Sequence, residues 1–122
     1  MSSTAWERFQ GATLSLARSG SIKDRLDEAY RNFLADVDEE ELPREIRDEF
    51  REVSCILRRE RPMLRGEDAV RATIRKLSNE EADRIACSLV MMFAAIPRAT
   101  VLPRAQNGAQ VVPLYLPEAA EA

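Results

Sequence analysis

The side chains able to do chemistry in this chain reduce to carboxylates, thiols and hydroxyls, since 21 Asp and Glu and two Cys are present and there is no His. Without an imidazole there is no Ser-His-Asp triad, no Cys-His dyad, no His-bearing zinc site and no imidazole general base. Two kinds of chemistry are left to weigh: hydrolysis by paired carboxylates, one with its pKa raised by burial or by its neighbour, and a carboxylate metal site. The densest acidic run is Asp36, Asp38, Glu39, Glu40 and Glu41. It falls at a predicted helix junction rather than on inward positions of two facing helices, and it lacks the Gly and terminal Glu of an EF-hand loop. Di-iron bundles draw on Glu-x-x-His, which has no counterpart here. The run therefore reads as a solvated acidic turn, and the expectation is no metal, no cofactor, no small-molecule ligand and no enzyme.

Cys55 and Cys87 form no CxxC pair and have no adjacent base, so they read as inert core or boundary thiols. Gly20, Gly66 and Gly108 are isolated turn residues that build no phosphate loop. Of 18 basic residues 16 are Arg, and Cys55 to Lys76 carries seven basic against three acidic side chains. Arginine suits carboxylate or phosphate pairing, although solvated faces and intramolecular pairs are the plainer use of such residues. Arg58, Arg59, Arg61, Arg65, Arg71, Arg75 and Lys76 surround a predicted helix-loop-helix. They define a DNA-binding alternative in which Ala69 to Leu77 serves as recognition helix and the arginines grip phosphates. Against it stand Pro62 and Gly66 in the loop, few base-reading side chains on the helix, and a net charge of -3.

The elements that must position these residues are helices. Thr4 with Glu7 three residues on is a capping box for a helix over about 5–18, with Gly11 as a weak point in its interior. Ser21 caps a second, whose Ile22, Leu26, Ala29, Tyr30, Phe33, Leu34 and Val37 recur at three and four, leaving Asp27 and Arg31 as an outer i,i+4 pair. Pro43 fits the first turn of a third helix, with core stripe Ile46, Phe50, Val53 and Leu57, running to about Arg61 before Pro62. A connection through Met63 to Gly66 leads to a short helix bearing Ala69, Val70, Ile74 and Leu77. Ser78 and Glu81 box the start of the last helix, whose second half, with Cys87, Met91, Met92 and Ile96, is apolar nearly all round.

These periods predict an all-alpha fold, a small antiparallel bundle of four or five helices over residues 1–96. Residues 97–122 hold four of six prolines and Asn107-Gly108, and are expected to form an extended or partly disordered arm. A chain of 122 residues suffices for one core, and 96 of them bring it near the size where apolar faces are hard to spare. The longest apolar run, Leu89 to Pro97, is about half the roughly 20 residues of a membrane span. With no secretory signal pattern the expected location is the cytoplasm, with no membrane partner. The surplus apolar surface of the last helix, with its adaptable methionines, points to a noncatalytic protein-protein interaction or regulatory protein that homodimerises through that helix. Its expected contacts are Trp6, Phe9, Met91, Met92 and Phe93, joined by Leu114, Tyr115 and Leu116 of the arm, which could add a strand to a partner. The rival account is that the last helix and the arm cover each other within one chain.

Overall fold

The computed structural model describes residues 4–97. Beyond Pro97 the arm, with Leu114, Tyr115 and Leu116, lies outside the described residues. Within them the fold is all-alpha, a small bundle of five α-helices with no strand.

Helix α1 (Ala5–Leu16) opens on the capping box read from the sequence: the Thr4 hydroxyl accepts the Glu7 N–H at 3.1 Å, and Glu7 accepts the Thr4 N–H at 3.0 Å. After Gly20, held at φ +113° where a Cβ would be strained, α2 (Ile22–Ala29) starts with the Ser21 hydroxyl accepting the Asp24 N–H. The single long helix expected to Val37 is replaced by a π turn over Tyr30–Leu34, closed by the Ala35 N–H on the Tyr30 carbonyl at 2.8 Å. No residue of Tyr-Arg-Asn-Phe-Leu breaks an α-helix, so the widening is a tertiary effect. It occurs where Tyr30 and Leu34 enter the core and the Phe33 ring lies directly on Gly11 of α1. A Cβ at Gly11 would collide with that ring, so this glycine, a weak point by propensity, is what allows the close approach. Arg8 of α1 donates to the Phe33 carbonyl at 3.2 Å, giving that carbonyl a partner at the irregular turn.

The acidic junction folds as a short 3-10 turn, Glu39–Glu41, capped by Asp38. Helix α3 (Arg44–Leu57) follows, with Pro43 at the N-cap rather than inside the first turn, and stops at Leu57, four residues before the expected end. Residues 58–68 connect it to α4 (Ala69–Lys76), and α5 (Asn79–Ala95) begins at the Ser78/Glu81 capping box.

One apolar core joins the helices. Phe9, Leu26, Tyr30, Leu34, Leu57, Leu89 and Met92 are each at most 1% exposed, and each such side chain contributes about 1.5–3 kcal/mol of burial. Phe9 packs on Phe50 with ring centroids 5.6 Å apart, and Trp6 on Phe93 at 5.4 Å, so aromatic pairs tie α1 to both α3 and α5.

Candidate functional site

The expected contact residues do not share one fate. Phe9 (0% exposed) and Met92 (1%) are core residues, which corrects their assignment as partner contacts. The reason is helical phase: α5 is apolar on several faces, and adjacent residues point about 100° apart, so Met92 faces inward while Met91 is 70% exposed. Trp6 and Phe93 are half-buried against each other.

Met91 stands instead on an open apolar groove of about 330 Å³. Ala86, Cys87 and Val90 of α5 line it at i, i+1 and i+4, facing Leu16 at the end of α1 and Ile22 at the start of α2, with Arg25 and Asp83 bringing opposite charges to its rim. Arg25 is fixed there: its Nη1 donates to the Leu16 carbonyl at 2.5 Å and its Nε to Gly20 at 3.1 Å. The second spacing along α5, Asp83, Ala86, Cys87, Val90, was present in the sequence but masked by the stronger inner stripe. Cys87 is exposed in this groove and Cys55 on the outer side of α3, so neither is the core or boundary thiol expected.

The basic residues disperse rather than converge. Arg58 donates to the Tyr30 hydroxyl at 3.1 Å; Arg71 lies 3.5 Å from Asp27; Arg75 grips Glu67 at 2.7 Å; Lys76 reaches Glu60 at 3.3 Å, and Arg59 the same carboxylate at 3.8 Å. Arg61 and Arg65 make no ion pair among the described residues. The candidate recognition helix, α4, thus has Arg71, Arg75 and Lys76 engaged with carboxylates of its own chain.

A polar seam missed at the level of sequence joins α2 to α4. Arg31 binds both oxygens of Asp68, at 2.5 and 3.1 Å, and also Asp27 at 3.0 Å, while Asp68 caps α4 by accepting the Arg71 N–H at 2.9 Å. Asp27, expected on the outer face, is buried between Arg31 and Arg71. The hydrogen bond from Arg31, with the Arg71 N–H, holds the Asp68 carboxyl well below the usual carboxylate range. The sequence signal for the cap was an Asp immediately before the apolar period of α4. Arg75 lowers Glu67 in the same way, to about 2, assisted by the Met63 and Leu64 amides. Glu81 is lowered by the Ser78 amide it accepts.

The acidic run has structural partners of its own. Asp38 caps the 3-10 turn, Glu39 pairs with Arg51 at 2.8 Å, and Glu41 accepts the Ala5 N–H of α1 at 2.9 Å. Those carboxylates shifted by their surroundings, Glu67, Asp68 and Glu81, all move down, the direction opposite to that of a general acid. Among the described residues no group of three Cys, Asp or Glu gathers as metal ligands. Comparisons with protein-family models, with curated proteins and with solved structures find no match to the chain.

Proposed function

We propose that the protein is a noncatalytic interaction or regulatory protein whose contact surface is the groove formed by α5 with the facing ends of α1 and α2, and that its first partner is a second copy of itself. The observation that carries this is a continuous apolar wall, Leu16, Ile22, Ala86, Cys87 and Val90, beside a Met91 that is 70% exposed. Methionine is enriched at protein interfaces and adapts to irregular surfaces. The occupant follows from the rim. In a twofold dimer each patch meets itself, so Arg25 of one copy can face Asp83 of the other while the two Met91 side chains enter the facing grooves.

Sedimentation equilibrium tests the reading. The full chain is expected to dimerise, and Met91→Asp to leave a monomer with unchanged helical circular dichroism, because a carboxylate would be desolvated at the twofold contact. A wild-type chain that stays monomeric at all concentrations, or a Met91→Asp variant that assembles equally well, removes the proposal. The DNA-binding alternative draws less support, since five of its seven basic residues already have partners within the chain.

A further inference from the structure

We infer that residues 58–68 form a contact for anionic phospholipid surfaces, with Met63 and Leu64 as the inserted pair and Arg61 and Arg65 at the level of the phosphates. Met63 is 71% exposed and Leu64 57%. The pair is held outward by specific bonds: one oxygen of Glu67 accepts both the Met63 and Leu64 N–H groups at 3.1 Å, and Arg75 fixes Glu67 from the other side. Gly66, at φ +77°, supplies the turn that returns the chain to Glu67. The apolar tip is therefore a preorganised feature of the backbone.

Charge surrounds it. The three acids between Cys55 and Lys76 are engaged internally, Glu60 with Arg59 and Lys76, Glu67 with Arg75, and Asp68 with Arg31. Arg61 and Arg65, which flank the apolar pair on either side in sequence, carry uncompensated charge. Beside Leu64 an open hollow of about 370 Å³ is lined by Arg65, Arg71 and Arg75 with Glu67; Arg71 and Arg75 are already paired with Asp27 and Glu67, so Arg65 is the side chain there left to meet a phosphate. Phosphate adjoining hydrocarbon is the chemistry of a phospholipid headgroup region. All six residues from Arg61 to Gly66 are exposed, so a protein partner would need a preformed pocket for the pair, whereas fluid acyl chains need none.

The expectation of no membrane partner rested on spanning length, and no described helix is long and apolar enough to cross a membrane. A surface contact requires no span. Two apolar side chains and a few cations give weak, reversible and salt-sensitive attachment.

Vesicle cosedimentation of the full chain provides the test, using phosphatidylcholine alone and phosphatidylcholine mixed with phosphatidylglycerol. Binding is expected only to the anionic vesicles and is expected to fall as salt rises. The Met63→Ser/Leu64→Ser and Arg61→Gln/Arg65→Gln variants are each expected to lose about tenfold in partitioning with unchanged circular dichroism, since all four side chains are exposed. Met91→Asp, assayed at concentrations where the wild type is monomeric, is expected to bind as the wild type does, which separates this contact from the α5 groove. No binding, equal binding to neutral vesicles, undiminished binding by either double variant, or a preference for duplex DNA over the anionic vesicles would each overturn the inference.

Discussion

Helices α4 and α5 are consecutive, yet different forces hold them on the bundle. Helix α5 buries Ala82, Ala86, Leu89 and Met92 and is clamped through Phe93 onto Trp6. Helix α4 has eight residues and buries only Ala72, Thr73 and Ile74. Its position is specified by polar bonds: Arg31 to Asp68, Arg71 to Asp27, Lys23 to the Arg75 carbonyl at 2.8 Å, and the Thr73 hydroxyl, which donates to Ala69 at 2.8 Å and accepts the Glu60 N–H at 3.0 Å. A helix too short to find its place by apolar area alone is oriented by charge and hydrogen bonding. Apolar packing is nondirectional and tolerates sliding, whereas a two-oxygen Arg–carboxylate pair fixes distance and angle. The proposed lipid-facing tip is anchored on the polar side, and the proposed dimer groove is cut into the apolar side.

The contrast can be broken at each end. Removing the Phe9 side chain should have the largest effect, since its ring is fully buried against Phe50: Phe9→Ala is expected to cost about 3–5 kcal/mol in urea unfolding, with the loss spread over the whole bundle. A loss below about 1 kcal/mol would show that the apolar side is not the main source of stability. Asp27→Asn should act more locally. It takes one carboxylate from both Arg31 and Arg71, but Arg31 keeps Asp68 and is partly exposed, so about 1–2 kcal/mol is expected. Amide exchange should accelerate in α4 and leave α5 unchanged; equal acceleration in both helices would mean that the seam is not local.

Acid should produce the smallest change. The Glu67 pKa is lowered in the folded chain, so its contribution is present above the ordinary value of about 4.5 and is lost as pH falls through about 2. Asp68, also lowered, follows the same sign. The Met63 and Leu64 amides, both bonded to Glu67, are expected to lose exchange protection across that window before the α5 amides do. Simultaneous loss in both places would contradict the assignment of Glu67 as a local tether.

Much of the fold was legible because its signals are local. Thr4, Ser21 and Ser78 cap where the sequence places them, and Ile46, Phe50, Val53 and Leu57 are all buried as their spacing requires. The π turn was not legible: it coincides with the contact of Phe33 on Gly11, which joins residues 22 positions apart. Burial of Asp27 depends likewise on Arg71 arriving from α4. Of the residues expected to be contacts, Phe9 and Met92 are buried and Met91 is exposed. Apolar excess on α5 is a property of composition, but which of Met91 and Met92 faces outward depends on the phase set by its neighbours.

By itself, then, the sequence determined the helical class, the starts of α1, α2 and α5 and the exclusion of imidazole chemistry, since hydrogen-bonding caps, the 3.6-residue period and residue type act within a few positions of one another. Only the tertiary structure decided which apolar residues remain outside, which arginines are neutralised and where Glu67 holds the 58–68 tip. Exposure and charge pairing are set by whichever segments pack together, and those segments are distant in the chain.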